Sequence, residues 1–206
     1  MTQWVDPDGS GRGRGPVALA RAWIAVIARP RQFFGTAVAP GDQAPGLTFL
    51  AAVVLVEEAI RLLLVPDAYP VFGGRPLLSA LVWLAAVTVL VAPVGVHLLA
   101  AIQTLLLAAS APDRAGVSET IQVLCYATAP CVLAGLPSPW LGLAVAAYGA
   151  WLYLLGLGLV HDLGWVRRLA VGALPAALVF GVAFRGIEAG RTVGWLVLEA
   201  IRTALG

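Results

Sequence analysis

The sequence predicts an all-α protein: a polytopic transmembrane helix bundle of about five spans, preceded by an amphipathic surface helix. Composition supports this fold class, because 60% of the 206 residues are hydrophobic and 12% are charged. That charged fraction is about half of what a soluble domain carries. Several apolar runs reach the roughly 20 residues that a helix needs to cross a bilayer. The alternating strands that a β-barrel requires are absent from the sequence.

The N-terminal region is predicted to comprise a flexible tail and a surface helix. Residues 1–15 are polar and Gly-rich without a compact apolar run, which argues against a signal peptide and favours a flexible tail. Residues 16–34 follow an amphipathic helical pattern that starts at Pro16. An interfacial helix is the favoured interpretation, and a small soluble helix packed under the bundle is the alternative. The predicted membrane-surface contacts are Trp23, Ile27, Arg29, Arg31, Phe33 and Phe34.

Residues 35–184 form the predicted transmembrane domain. The second span is longer than one crossing requires, so we expect it to tilt, to project beyond the bilayer, or to kink at Pro93 or Gly95. Residues 185–206 read as an amphipathic C-terminal helix that is too charged to cross. The predicted spans are about residues 47–65, 77–108, 119–136, 140–160 and 169–184.

Arginine distribution predicts the orientation in a cell membrane. The N-terminal segment, the loop after the second span (Arg114) and the loop after the fourth span (Arg167, Arg168) carry arginines and lie on one side. The positive-inside rule therefore places the N-terminus in the cytoplasm and the C-terminus outside. Arg185 and Arg191 argue mildly against this orientation, so a re-entrant tail or an even number of spans stays open.

The first predicted span, residues 47–65, contains three charged residues: Glu57, Glu58 and Arg61. In a hydrocarbon slab of about 30 Å the two glutamates would lie near the middle, where a charge must be paired or must face protein or water. Either acid can pair with Arg61 on the same helix. One arginine cannot neutralise both acids, so the other must be protonated, bound to another helix or exposed to water.

Three interpretations of this cluster follow. The first is an internal ion pair that locks the bundle. The second is a proton- or ion-coupled site in which His97 joins Glu57, Glu58 and Arg61. The third is a shorter span whose end carries the charges near the interface.

The sequence predicts no catalytic, metal or cofactor site. His161 and Asp162 read as a helix-end cap, because no serine, cysteine or HExxH pattern accompanies them. Cys125 and Cys131 would point about 120° apart on a helix, so buried apolar positions are favoured over a disulfide. A net charge of +2 is too small to suggest a nucleic-acid partner.

Two short motifs connect the chain with a known family. The first is the element Pro30-x-x-Phe33-Phe34, which precedes a bundle of about five spans. The second is Tyr126-Ala127-x-x-Pro130 in the third predicted span. Across residues 28–184 the chain resembles the Yip family, the Ypt/Rab-interacting membrane proteins and their prokaryotic relatives.

The resemblance implies a five-span α-helical fold with a cytoplasmic N-terminus and no known catalytic residues. Eukaryotic members act in vesicle transport and Golgi membrane organisation, and they bind small GTPases and each other. This chain lacks the long acidic cytoplasmic region of many eukaryotic members, and its composition is typical of prokaryotes.

The expected function is that of a non-enzymatic multi-pass scaffold in the lipid bilayer, which organises membrane proteins, associates with them or associates with itself. A small transporter or channel component that uses Glu57, Glu58, Arg61 and His97 is the alternative. A membrane enzyme is a third hypothesis.

Overall fold

A computed structural model describes residues 15–65, 67–111 and 114–205, and all regular structure within these ranges is helical. The prediction of an all-α membrane bundle is therefore confirmed. The predicted flexible tail falls almost wholly on residues 1–14, which lie outside the described ranges. The helices are α1 (Pro16–Ala28), α2 (Pro30–Thr36), α3 (Ala44–Leu64), α4 (Pro76–Ala86), α5 (Ala92–Ser110), α6 (Val117–Ala127), α7 (Pro139–Val160), α8 (Trp165–Ala176) and α9 (Gly186–Leu205).

Among the described residues, three helical segments are long and apolar enough to cross a membrane: Pro76–Ser110, Pro139–Val160 and Trp165–Ala183. They correspond to the second, fourth and fifth predicted spans. The third predicted span is a shorter apolar helix, Val117–Leu133. The first is α3, which has 21 residues but carries three charges in its C-terminal half. The number of spans stays a prediction.

Two of the three long segments contain a proline and a π-helical stretch. α4 and α5 form one helix of 35 residues, joined by the π-helical residues Val87–Val91. Pro93 lies just beyond this stretch, and its ring disfavours the regular hydrogen bond to the carbonyl group of Val89, four residues earlier. The helix is therefore irregular next to Pro93, whereas the expected tilt, projection or kink stays a prediction. A second stretch, Ala177–Ala183, follows Pro175 and extends α8.

α6 and the 3₁₀ helix after it, Ala129–Leu133, form the centre of the bundle. Every residue from Thr120 to Cys131 is buried, and α6 packs against α3, α5 and α7. Gly46 on α3 lets α6 approach closely, because a Cβ atom there would lie 3.1 Å from Gln122 Cα. Both cysteines are buried and free, as predicted.

The N-terminal helices pack on the bundle more closely than the sequence indicated. Trp23 is half-buried, and its Nε1–H donates to the Ala129 carbonyl at 2.7 Å. The Tyr148 hydroxyl donates to the Ile27 carbonyl at 2.7 Å. α1 therefore packs on the bundle along one side, whereas Ile24 and Val17 remain exposed. Its position at the membrane surface stays a prediction.

Phe33 and Phe34 do not enter the membrane interface, contrary to the prediction. They are 7% and 2% exposed, respectively, and lie in the core. α2 begins at Pro30 and packs against α7, which places both aromatic rings in the core. Arg29 and Arg31 are exposed and stay available for headgroup contact.

The last helices run antiparallel along α7. A Cβ atom on Gly172 would contact Leu154, and one on Gly149 would contact Phe180. Further along, a Cβ atom on Gly142 would lie 3.3 Å from Ala189. The first two turns of α9 therefore still belong to the bundle, although the sequence placed them in a separate C-terminal helix.

Candidate functional site

The charged site of the bundle comprises Glu57, Glu58, Arg61 and Arg185, here called the charge cluster. Both glutamates are buried, at 2% and 6% exposure. Arg61 Nη1 lies 3.2 Å from Glu58 Oε2, one turn along α3. Arg185 forms an ion pair with Glu57, and its Nη1 lies 3.8 Å from Glu58 Oε1. Two acids and two arginines thus balance one another.

Arg185 reaches α3 from a turn between the π-helical stretch and α9. Its φ of 58° is in the left-handed region, which is unfavourable for a residue with a side chain. Gly186 follows, and a Cβ atom there would lie 2.5 Å from the Phe180 carbonyl oxygen and 2.6 Å from Ala146 Cβ. The surrounding packing and the ion pairs therefore hold the turn in a conformation that the backbone alone would not favour.

The charge cluster lies toward one end of the bundle. Gly135, in the turn between α6 and α7, packs directly on the α3 backbone at Glu57 and Arg61. Because α7 begins only four residues later, at Pro139, this level is close to the end of the helices. The charge cluster therefore lies near one end of the helices and pairs α3 with Arg185. Its depth in a membrane stays a prediction.

His97 is not part of the charge cluster, contrary to the prediction. It is exposed, and its Nδ1 lies 2.6 Å from the carbonyl oxygen of Pro93 on its own helix. It points away from the bundle because its neighbour Val96 occupies the buried face. The additional member of the charge cluster is Arg185, whereas the sequence predicted His97. Arg185 could have been recognised in the sequence because it directly follows the apolar run of residues 169–184. An arginine at that position has to be paired if it packs in the bundle.

A cavity of about 330 Å³ adjoins the two glutamates. Its remaining walls are largely apolar and come from α3, the π-helical stretch Val87–Val91, α5 and Phe184. Trp83 also lines it, and the Trp83 Nε1–H has no hydrogen-bond partner among the described residues. The cavity therefore has a mostly apolar lining with two carboxyl groups in it. In the described part of the chain, no three His, Cys, Asp or Glu side chains are arranged to hold a metal.

The two motifs that carry the family resemblance meet in the core. Pro30 begins α2, and the ring of Phe33 lies edge-on to Tyr126 at a centroid distance of 4.9 Å. Ala127 is fully buried, and Pro130 lies in the 3₁₀ helix after it. The motifs therefore fasten the N-terminal helices to the central helix α6, which is a structural role.

His161 follows the last residue of α7 and is 3% exposed. Its Nε2 lies 3.3 Å from Thr120 Oγ1, and its Nδ1 has no partner among the described residues. Burial, with a smaller contribution from the charge of Arg114, lowers the pKa of His161 to about 4. The neighbouring Asp162 is exposed. The folded protein thus holds a neutral histidine between two candidate spans.

We expect His161 to make stability depend on pH. Its pKa in the folded state, about 4, is below the ordinary value of 6.5, so the unfolded chain binds the proton first as the pH falls. Its contribution is fully present above pH 6.5 and is lost progressively between pH 6.5 and 4. Thermal unfolding in detergent at pH 7.5, 6 and 5 should show a smaller decline for His161→Gln than for the wild type. Equal declines would contradict this assignment.

The comparisons with known proteins agree with the resemblance. The family model described as Yip1 domain matches residues 24–185, which is most of the chain. No curated protein and no solved structure matches it. The matched region starts within α1 and ends at Arg185, so it contains the complete charge cluster and both motifs. The chain therefore belongs to the Yip1 domain family of membrane proteins.

Proposed function

We propose that this protein is a non-enzymatic membrane scaffold that organises or binds other membrane proteins. The observation that carries this proposal is the use of its buried polar groups. The acids of the charge cluster join α3 to Arg185, which is 128 residues away from Glu57. Carboxylates that are paired with arginines in this way hold helices together and are not free to take part in a reaction.

Two further buried polar side chains, Gln122 and Tyr153, also connect distant segments of the chain. Gln122 on α6 accepts a hydrogen bond from the Ala39 N–H at 3.1 Å and donates to the Ala39 carbonyl at 2.6 Å. The Tyr153 hydroxyl on α7 donates to Gln103 Oε1 on α5 at 2.5 Å. Interhelical hydrogen bonds in membrane proteins contribute on average about 0.6 kcal/mol each. Together they favour one fixed packing, which is what a scaffold requires.

The outer surface offers a site for partners. The long helix Pro76–Ser110 is only slightly buried along its most apolar stretch and presents many exposed aliphatic side chains. In a bilayer such a face meets either lipid or the helices of another protein. The cell membrane is the proposed location, with the N-terminus in the cytoplasm, because the arginines concentrate on that side.

A transporter or channel component is the second candidate. It is favoured by the cavity beside Glu57 and Glu58, which could admit a cation or a proton donor. His97 does not contribute, because it faces away from the bundle. The candidate therefore depends on the acids leaving their arginine partners during transport.

Flux measurements separate the two candidates. We expect purified protein in liposomes to conduct no protons or small cations above protein-free liposomes. Glu58→Gln should lower thermal stability instead, because it leaves Arg61 without its 3.2 Å partner. Asp162→Asn is the control, since it removes a carboxylate from an exposed position. Flux that disappears in Glu58→Gln and persists in Asp162→Asn would overturn the scaffold proposal.

A further inference from the structure

The cavity beside the charge cluster is enclosed by several parts of the bundle. α3, the long helix Pro76–Ser110, α6 and the π-helical stretch Ala177–Ala183 all contribute to its wall. A Cβ atom on Gly95 would meet nothing within 4 Å, so this lining position adjoins open space. We call this space the acid-lined cavity, after Glu57 and Glu58. Its lining residues on the long helix recur at four-residue intervals and so share one face: Trp83, Val87, Val91, Gly95 and Leu99.

Both π-helical stretches described above line the acid-lined cavity. Val87 and Val91 come from the first stretch. Val179 and Ala183 come from the second. A π-helical turn is rare and occurs frequently at functional sites. The meeting of two such stretches at one cavity therefore indicates a binding site.

The acid-lined cavity reaches the outer surface of the bundle between the two π-helical stretches. Val91 lines the cavity and is nevertheless 57% exposed, and Ala183 is likewise a lining residue that is exposed. Their exposed neighbours Leu90 and Val182 are apolar. Both stretches belong to helices that are long and apolar enough to cross a membrane. A ligand would therefore enter from the hydrocarbon region of the bilayer.

The polar end of the cavity offers hydrogen-bond acceptors without a net charge. Its two acids are balanced by Arg61 and Arg185. Within the described part of the chain, Glu57 Oε2 accepts no hydrogen bond. Glu58 Oε1 lies 3.8 Å from Arg185 Nη1, which is beyond hydrogen-bonding distance. A buried acceptor without a donor is unfavourable, and a ligand hydroxyl group supplies the donor without disturbing the charge balance.

We propose that the acid-lined cavity binds an uncharged lipid alcohol, whose hydroxyl group donates to Glu57 or Glu58 and whose chain lies against the apolar wall. The cavity volume of about 330 Å³ equals that of about eleven water molecules in the liquid, which is room for about ten carbon atoms of the chain. The rest of the chain extends through the opening into the bilayer. The mostly apolar wall disfavours filling by water. This site goes beyond the scaffold proposal and does not depend on it.

Photolabelling in a bilayer tests this site. The full-length protein is reconstituted in phosphatidylcholine liposomes with a 1-dodecanol probe that carries a diazirine in its chain, and mass spectrometry locates the label after irradiation. We expect label on peptides that contain residues 50–58 or 83–99, and we expect excess 1-decanol to displace it. The methyl ether of the probe has no hydroxyl donor. It should give about tenfold less displaceable label, because it lacks the hydrogen bond to a charged acceptor.

Gly95→Leu places a side chain in the open space of the cavity and should reduce displaceable labelling about tenfold. Gly194→Leu is the matched control, because Gly194 also lies in a helix and a Cβ atom there would meet nothing within 4 Å. Equal labelling of the two variants would overturn the proposal.

Two results with the wild type would also overturn it, and they decide the question even if Gly95→Leu does not fold. One is equal displaceable labelling by the alcohol and its ether. The other is stronger displaceable labelling by the corresponding amine, which would indicate a cation site instead. None of these measurements depends on transport, so failure of the scaffold proposal in the flux assay is detected separately.

Discussion

Replacing Arg185 with alanine is expected to destabilise the protein more than the removal of any other charge described above. The substitution leaves Glu57 buried without its ion-pair partner and withdraws the second arginine from Glu58. Breaking a buried ion pair from one side costs about 3–5 kcal/mol, because the remaining charge is uncompensated. The measurement is the thermal unfolding of purified protein in detergent, followed by tryptophan fluorescence.

Two further variants show whether the charge itself is responsible. Arg202→Ala removes an arginine whose side chain is 81% exposed, and it should change stability by about 0.5 kcal/mol or less. The double variant Glu57→Gln with Arg185→Gln leaves no unpaired charge at this contact and should recover most of the loss. An Arg185→Ala protein as stable as Arg202→Ala would show that the charge cluster does not hold the bundle together.

Gly135→Ala is expected to have an effect of similar size through packing alone. A Cβ atom there would overlap the Glu57 carbonyl oxygen and lie 3.1 Å from the Arg61 backbone nitrogen. Overpacking typically costs about 1–3 kcal/mol, and more where backbone has to move. Here both obstacles are backbone atoms of α3, so we expect a loss at the upper end of this range or a failure to accumulate folded protein.

Gly164→Ala is the matched control for Gly135→Ala. Gly164 also lies outside helix, its φ is −67°, and a Cβ atom there would meet nothing within 4 Å. Because Gly164 is the N-cap residue of α8, where alanine is less favourable than glycine, we expect this variant to lose about 1 kcal/mol or less. If Gly135→Ala were equally mild, the turn before α7 would not be in close contact with α3.

The helices of the bundle could be predicted from the sequence because their signals are local. The length of an apolar run and the positions of Pro16 and Pro76 are enough to place a helix and its start. The central position of α6 was not predictable in this way. The sequence pattern of a helix that is apolar on all sides is the same whether the helix contacts lipid or protein.

The partners of the charged and aromatic residues depend on distant parts of the chain. Sequence reasoning left one of the two acids protonated, bound to another helix or exposed to water, and it named His97 rather than Arg185 as a possible partner. That choice depends on which face of each helix turns inward and on a turn with a left-handed residue. Phe33 was assigned to the membrane interface for the same reason, because amphipathic patterning does not distinguish lipid from a neighbouring helix.

The ion pair between Glu57 and Arg185 also has a consequence for biosynthesis. Glu57 is made early and Arg185 is made 128 residues later, so α3 leaves the ribosome long before its partner exists. Throughout that interval Glu57 has to stay protonated, hydrated or paired with another group, because a buried carboxylate without a partner is costly. A chain interrupted before residue 185 therefore lacks the arginine that compensates this acid in the folded bundle.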